Sequence, residues 1–506
     1  MKRFTAFAVI AIILALLCSC ATSTGTDNLP RKQITVSLGR SSATVLPDGK
    51  LEFSPTFRNT DTTPALIWTS SNPEILEVKD GTAVARNTTK EDVTVTITAS
   101  LEDNPSMKST CNVTVMSPYR VRFLTAGPGQ DASTQAVISW HSPNPTSTLE
   151  YADAFDPDFS KSITLTGTPT VSEWADFDCI YRYKVTLTDL VPDRQYRYRV
   201  VVKDDVRSPE GTFRTAKHND PVFSFAWLSD VHAGSETALK NVRELLKLFS
   251  DKTTIDFCLF TGDLINQGKR YGYWDSWTQS GLLLQTSYAF VIGNHEYYPY
   301  TGPDNATDSY YLDFAAIPDN HGDSASSDFW FNYGDVLFIC LDTMAAEFSD
   351  EDGRNPVLEK QAEWLGEVVK ANEGSFRYII VAQHYAFLDA GEEGTGYYSF
   401  WYPVFDEYGV DLALSSDTHS YSRSDILFND RESDSGTVYL TSPITEGKEL
   451  SEITNTLTGE EKRAEFFSGG TVTGGIYFTV TTEQITMHLI GKDGNEYDTL
   501  TIPARR

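Results

Sequence analysis

Five apolar stretches of the sequence each end abruptly in side chains that can bind a cation or move a proton. The set consists of carboxylates, imidazoles and one amide, without a lysine or a cysteine. Oxygen and imidazole donors suit divalent cations, and a set of this size suits two of them. A lone buried histidine is more often a hydrogen-bonded core residue than a ligand, but five stretches built the same way favour a metal site. The residues are Asp230, His232, Asp263, Asn294, His295, His384, Asp417 and His419.

The apolar stretches have the length and composition of buried β-strands, and helical patterns lie between them. Strands that alternate with helices predict βαβ units, in which the strands are parallel. Because parallel strands end at the same edge of a sheet, we expect the polar side chains to converge on one cleft. The helical positions are Leu239, Val242, Leu246 and Phe249 after the first stretch, and Leu358, Leu365, Val368 and Val369 before the fourth.

The order of these motifs resembles that of the calcineurin-like metallophosphoesterases. The resemblance covers about residues 221–506, and residues 333–343 and 361–365 match secondary motifs of the same family. It implies an α/β sandwich of two mixed sheets flanked by helices. The motifs that carry the resemblance are Asp230-Val231-His232, Gly262-Asp263, Gly293-Asn294-His295-Glu296, an isolated His384 and a final His419.

The resemblance also implies a two-metal site with Mn, Fe or Zn as the candidate ions. A hydroxide held between the ions would attack phosphorus in line. His295 would protonate the leaving oxygen or contact the phosphate, with its charge supported by a carboxylate such as Glu296. The implied ligands are Asp230, His232, Asp263 and His419 for the first ion, and Asp263, Asn294 and His384 for the second, so that Asp263 is shared.

The sequence departs from the family pattern at two places. Purple acid phosphatases have a tyrosine three residues after the shared aspartate, whereas Asn266 stands there in this chain. A purple iron(III) chromophore is therefore not expected. Asp417 stands where the family has histidine, and Ser416 where it has glycine. Since carboxylates suit hard cations, Asp417 as a ligand favours Mn, Fe or Mg over Zn.

The first twenty residues have the pattern of a bacterial export signal. Met1-Lys2-Arg3 precedes an apolar run over residues 4–17 that is short for a membrane span. Leu17-Cys18-Ser19-Cys20 resembles the lipobox of bacterial lipoproteins. We therefore expect a signal peptide over 1–19, a lipid at Cys20 that anchors the protein to a membrane, and a linker over 20–32. The expected location is the bacterial cell envelope, facing the periplasm or on the cell surface.

Two all-β sandwiches are expected before the α/β domain, which is placed at 220–506. Residues 33–116 resemble a bacterial Ig-like domain of group 2, for example at Trp68-Thr69-Ser70-Ser71-Asn72-Pro73. We interpret this unit as a spacer, with binding of a cell-surface glycan or protein as the alternative. Residues 118–216 resemble a fibronectin type III domain with a tyrosine corner at Tyr196. Such a domain before this catalytic domain resembles the arrangement in purple acid phosphatases.

The net charge and the length of the chain limit the range of possible functions. The chain has 506 residues, too many for one core, and its formal net charge is −29. Such acidity repels polyanions, so we expect a small phosphoester as substrate and no nucleic-acid partner. The leading interpretation is an exported, lipid-anchored phosphomonoesterase that resembles acid phosphatases. A phosphodiesterase or nucleotidase is the enzymatic alternative, and a cell-surface binding lipoprotein with a weakened catalytic site is the other. His141, His218 and His488 are expected to be structural.

The lipobox leads to a prediction that cell fractionation can test. Cys20→Ser removes the thiol that would be acylated, so the protein should move to the soluble fraction with its activity intact. Cys18→Ser, which alters a residue of the removed signal, is the matched control and should remain with the membranes. Membrane partition of the Cys20→Ser variant would contradict the anchor.

Overall fold

The computed structural model describes residues 33–172, 180–218, 222–234, 236–298, 310–321, 327–344, 355–388, 396–446, 467–468 and 473–505. The predicted signal peptide, Cys20 and the linker over 20–32 lie outside these residues. Among the helices in the described part, none has both the length and the apolar character that a membrane span requires.

Residues 33–116 form an all-β unit, as their alternating pattern predicts. Val95, Ile97, Cys111 and Val113 are fully buried between its sheets. The assignment to the Ig-like group stays a prediction. In sheet order, the strands are Ser42–Val45, Asn104–Val115, Val93–Leu101 and Leu66–Ser70 in one sheet; Lys50–Glu52, Thr82–Ala85 and Leu76–Lys79 in a second; and Thr35–Ser37 with Thr56–Arg58 in a third.

Residues 118–216 form a second β unit, and one of its two sheets continues into the rest of the chain. The tyrosine corner is present, because the backbone N–H of Val191 donates to the Tyr196 hydroxyl at 2.9 Å. The separate sheet contains Ile163–Thr166, Thr148–Asp153, Gln195–Val201 and Gly211–Arg214. The strands of the continuing sheet are Thr170–Val171, Tyr181–Leu187, Ala136–Ser142 and Arg122–Pro128.

The C-terminal part is an α/β sandwich of two mixed sheets, as expected. The continuing sheet reaches ten strands with Ser287–Val291, Phe257–Thr261, Phe223–Leu228, Gly474–Val480, Gln484–Gly491 and Glu496–Pro503. The second sheet contains Phe329–Tyr333, Val336–Cys340, Tyr378–Ala382, Leu412–Ser415, Val438–Thr441, Ser422–Arg423 and Phe467–Ser468, and Leu427–Phe428 pairs separately with Arg431–Glu432. The strands that precede the five polar motifs are parallel within each sheet.

Both predicted helices are present. In the first, Leu239, Val242 and Phe249 are buried against the ten-stranded sheet. The second begins after Asn355, whose side chain accepts from two N–H groups of the first turn. In the described part of the chain, the helices are α1 (Glu236–Ser250), α2 (Tyr271–Ser280), α3 (Tyr311–Phe314), α4 (Pro356–Ala371) and α5 (Gly396–Tyr408), with 3₁₀ turns at Lys203–Asp205, Leu282–Leu284 and His295–Tyr297.

A buried ion pair joins the second β unit to the α/β domain. Arg122, on the strand that borders Ser287–Val291, pairs with Asp275 of α2, and both side chains are more than nine-tenths buried. The guanidinium of Arg122 also lies 5.0 Å from the ring centre of Tyr271. Beside this pair, the backbone N–H of Phe123 donates to Thr278 Oγ1 at 3.0 Å. The second β unit is thus held to α2 by charge, ring and backbone contacts.

Removing one partner of this pair should leave a buried, uncompensated charge. We expect Arg122→Met to lower the free energy of unfolding by about 3–5 kcal/mol, measured by urea unfolding with tryptophan fluorescence. Arg122→Met combined with Asp275→Leu should recover most of the loss, because neither charge is then buried alone. Lys247→Met removes an exposed ion pair between Lys247 of α1 and Asp251, which follows this helix. This substitution should change the free energy of unfolding by about 0.5 kcal/mol or less. If Arg122→Met and Lys247→Met lowered the free energy of unfolding equally, the buried pair would have no special role in stability.

Candidate metal centre

Most of the predicted ligands have a strained backbone. Left-handed φ angles, between 45° and 70°, occur at five of them. Such a conformation costs roughly 1–2 kcal/mol per residue for side chains other than glycine, somewhat less for Asp and His, and in native proteins it is concentrated at functional sites. The strained residues are Asp230, His232, Asp263, Asp417 and His419.

The first predicted ligand set comes together in the structure. Single ligand atoms of Asp230, His232, Asp263 and His419 all lie within 4.8 Å of one another. His232 Nε2 is 3.1 Å from Asp263 Oδ2, and His419 Nε2 is 3.4 Å from Asp230 Oδ1. Asp230 is fully buried, and neither of its carboxylate oxygens has a hydrogen-bond partner among the described residues. A buried carboxylate without donors is costly, so these residues fit a cation.

The second set is centred on His384, which is fully buried. Its Nε2 lies 3.0 Å from Asn294 Oδ1, 3.2 Å from Asp263 Oδ1 and 3.5 Å from Asp417 Oδ1. Its Nδ1 is 2.7 Å from the carbonyl of Thr261 and therefore donates its proton there. This bond leaves Nε2 facing three oxygens, as a metal ligand requires. Burial opposes protonation, but the charge of Asp263 and hydrogen bonds to Asp263 and Asp417 raise the pKa of His384 well above its usual range, so the imidazole is charged when no cation is bound.

Asp263 lies between the two sets. One carboxylate oxygen faces His232, and the other faces His384 and accepts the N–H of His295 at 2.9 Å. Burial opposes ionisation, but the charge of His384 and hydrogen bonds from His232 and His384 hold the pKa of Asp263 well below its usual range. Asp263 is therefore an anion with one oxygen for each set. This geometry suits a shared ligand, although the individual ligand roles stay predictions.

His295 lies beside the two sets, and its side chain is largely buried, with 23% of it exposed. Its Nδ1 is 2.8 Å from the carbonyl of Asn266, and its Nε2 lies 3.8 Å from Asp263 Oδ2. Burial lowers the pKa of His295, whereas the charge of Asp263 opposes this change. With Nδ1 donating to a carbonyl, Nε2 is the nitrogen that faces the cleft. This position is compatible with His295 as the proton donor, and that role stays a prediction.

Glu296 has a different role from the expected support of His295. It is fully buried, and its carboxylate accepts N–H groups of Gly293 at 2.6 Å, Asp263 at 2.9 Å and Leu264 at 2.8 Å. Burial and then the charge of Asp263 raise the pKa of Glu296 to about 7. The side chain binds together the two turns that carry Asp263 and Asn294. The expectation was wrong because the turn directs this carboxylate inward, to backbone donors.

Two further residues contact the predicted ligands without having been identified from the sequence. Asn294 Nδ2 donates to the Tyr298 hydroxyl at 3.0 Å, and the Tyr298 ring lies 4.6 Å from the His295 ring. Glu446 Oε2 lies 3.5 Å from His232 Nδ1. Tyr298 follows its motif closely enough to have been considered. Glu446 lies far along the chain from the last motif, at His419, and no pattern in the neighbouring sequence indicates that it belongs to the site.

The three histidines that we interpret as structural, and Arg423, bond to residues outside the two ligand sets. His141 is buried, with Nε2 2.6 Å from the carbonyl of Asp313. His488 Nδ1 is 2.6 Å from Glu496 Oε1, and His218 Nδ1 is 3.5 Å from Ser133 Oγ. Arg423 after the final motif donates to Asp498 at 2.6 Å, in keeping with a structural arginine.

Comparisons with known proteins match two of the three units. Residues 223–421 match the family described as calcineurin-like phosphoesterase, and residues 122–215 match the purple acid phosphatase N-terminal domain. A protein of Mycobacterium tuberculosis is 25% identical over 326 residues, which cover 58% of this chain and 60% of the relative. Acid phosphatase type 7 of Danio rerio is 25% identical over 312 residues, with 57% and 68% covered. The chain thus spans about three fifths of the length of the mycobacterial relative.

A solved structure shows the same fold across both units. The purple acid phosphatase PPD1 from yellow lupin (Lupinus luteus) seeds aligns with a TM-score of 0.62 at 16% sequence identity, covering 84% of this chain and 81% of that chain. At this identity the match concerns the fold. It agrees with a β unit placed before an α/β domain of two mixed sheets.

Gly262 should be essential for the second ligand set. Its φ is 96°, and an added Cβ would lie 2.5 Å from His384 Nδ1 and 2.8 Å from the Cα of Gly293. Gly262→Ala should therefore displace His384, lower the cation stoichiometry from two to one, and cost about 1–2 kcal/mol of stability. Metal analysis and thermal unfolding measure both effects.

Gly272→Ala is the matched control. A Cβ at Gly272, in α2, meets nothing within 4 Å, so this substitution should stabilise the protein by about 0.5–1 kcal/mol and leave the cation stoichiometry unchanged. Two bound cations in the Gly262→Ala variant would contradict the assigned role of His384.

Proposed function

Because residues 223–421 form a calcineurin-like metallophosphoesterase domain behind a purple acid phosphatase N-terminal domain, we propose that the chain is a metal-dependent phosphoric ester hydrolase. The observation that carries this proposal is Asp263, whose two carboxylate oxygens face two separate groups of ligand-type side chains. Paired divalent cations neutralise phosphoryl oxygens and acidify a water nucleophile, and phosphoester hydrolysis needs both effects.

The side chains around the two sets have separate tasks in this reaction. Asp263, fixed by the backbone clamp of Glu296, keeps the two sets at a constant separation. Asn294 presents its amide oxygen, because its Nδ2 donates to Tyr298. In its protonated form, His295 would give the proton on Nε2 to the leaving oxygen and become neutral, since the proton on Nδ1 is held by the carbonyl of Asn266.

We propose phosphomonoesters as the substrate class. The support is the joint match to the two domains and the similarity to acid phosphatase type 7 of Danio rerio. Export and lipid attachment at Cys20 belong to the same proposal and rest on the sequence of the first twenty residues.

A phosphodiesterase is the second candidate, and Asp417 favours it. Asp417 Oδ1 lies 3.5 Å from His384 Nε2, so three carboxylates, Asp230, Asp263 and Asp417, surround the two sets. With two divalent cations and one hydroxide bound, the net charge of the centre would be zero, whereas histidine at position 417 would make it positive by one. A neutral centre attracts a dianionic monoester less than a positive centre does, and this reduces its advantage over a monoanionic diester.

The proposal is tested with p-nitrophenyl phosphate and bis(p-nitrophenyl) phosphate on protein reconstituted with Mn²⁺. Asp263→Asn should abolish hydrolysis and lower the binding of both cations, because one residue serves both sets. His488→Ala, which alters a histidine paired with Glu496, is the control and should leave both unchanged. An Asp263→Asn variant that keeps two cations and its turnover would contradict the shared role.

The negative charge of Asp417 should affect substrate preference. Asp417→His adds one positive unit to the centre, and histidine tolerates the left-handed φ of 70° at this position. The ratio of monoester to diester kcat/KM should rise by about tenfold, and the metal preference should move towards Zn. An unchanged ratio with unchanged metal preference would show that Asp417 is not a ligand.

A further inference from the structure

Nδ1 of His232 carries a proton when Nε2 binds a metal, and the two ligand sets contain no acceptor for that proton. His232 Nε2 faces Asp263 at 3.1 Å, whereas Nδ1 is buried and makes no hydrogen bond in the described part of the structure. A histidine that binds a metal through Nε2 carries its proton on Nδ1, and that N–H is normally held by a carboxylate or a carbonyl. An acceptor for this proton is therefore expected close to Nδ1.

Glu446 supplies a carboxylate at that place. Its Oε2 lies 3.5 Å from Nδ1, slightly beyond the usual length of a charge-assisted hydrogen bond, so a small side-chain movement closes the contact. We infer that Glu446 is a positioning residue that orients His232 and strengthens it as a ligand of the first cation. This inference rests on the proposed metal-dependent function and deepens it, because Glu446 lies outside the matched region 223–421.

The backbone around Glu446 is fixed against the turn that carries the ligands. The N–H of Thr445 donates to the carbonyl of Ser229 at 3.2 Å, and the N–H of Glu446 donates to the carbonyl of Asp230 at 3.1 Å. These bonds place residues 445–446 alongside the turn that carries Asp230. The backbone that carries the Glu446 carboxylate is thus held in place, although the side chain is about half exposed.

A buried amide on α1 strengthens this attachment. Asn241 is 1% exposed, and its Nδ2 donates to the carbonyls of Thr445 at 3.1 Å and Glu446 at 2.8 Å. Its Oδ1 accepts from Lys492 of the C-terminal hairpin. The position of Glu446 is therefore determined by α1 and by the C-terminal hairpin together.

Titration of the metal-free full-length protein with Co²⁺ tests the inference, with calorimetry for affinity and visible absorption for the coordination of each ion. Two binding steps are expected for the wild type. Glu446→Ala should weaken one step about 10–100-fold and leave the other within about twofold. Glu446→Gln, which still accepts the N–H without a charge, should have an intermediate effect. Glu446→Asp keeps the charge but is one methylene shorter, so it should resemble Glu446→Ala.

Two controls separate positioning from general effects. Glu407→Ala removes an exposed carboxylate from α5 and should leave both steps unchanged. The metal-free variants at position 446 should unfold close to the wild-type temperature, because an ion pair with a half-exposed carboxylate contributes little to stability. Unchanged affinity in Glu446→Ala, equal weakening of both steps, or a lowered unfolding temperature of the metal-free variants would overturn the inference. Two-step binding by a wild type that hydrolyses no phosphoester would instead overturn the proposed function.

Discussion

The metal centre depends on keeping one carboxylate, that of Asp263, between two groups of ligand side chains. Its backbone must adopt a left-handed φ of 53° to do so, a conformation that the preceding strand does not favour. Glu296 holds this conformation by accepting backbone N–H groups from both the Asp263 turn and Gly293. The strain at Asp263 is thus offset by hydrogen bonds from backbone N–H groups to a buried carboxylate, and the position of Asn294 is fixed by the same side chain.

The second β unit is part of this support. The strand Arg122–Pro128 lies next to Ser287–Val291, the strand that leads to Asn294. Arg122 pairs with Asp275 on α2, and the same helix contacts the ligand turn, because Trp277 Nε1 donates to the carbonyl of Leu264 at 3.2 Å. A continuous chain of buried contacts therefore connects the β unit to the residue after Asp263. This connection gives a physical reason for the two units to occur together.

The strand ends and the two amphipathic helices could be predicted because each depends on a local pattern: an apolar run followed by polar residues, or apolar residues at helical spacing. Other features depend on contacts between distant parts of the chain. The aromatic-rich sequence of α2 shows no clear helical period, and the continuation of one sheet through two units leaves no local signal. The sequence also placed Glu296 beside His295, whereas two of the backbone donors that it meets, those of Asp263 and Leu264, belong to a turn about thirty residues earlier. Glu446 was missed for the same reason, since its partner His232 lies more than two hundred residues away.

The central claim is that Asp263 is shared by two cations, and anomalous diffraction from crystals of the Mn²⁺-loaded protein tests it most directly. Two anomalous peaks are expected, on opposite sides of the Asp263 carboxylate. One peak should lie in contact with Asp230, His232 and His419, and the other in contact with Asn294 and His384. A single peak, or two peaks of which only one contacts Asp263, would contradict the account.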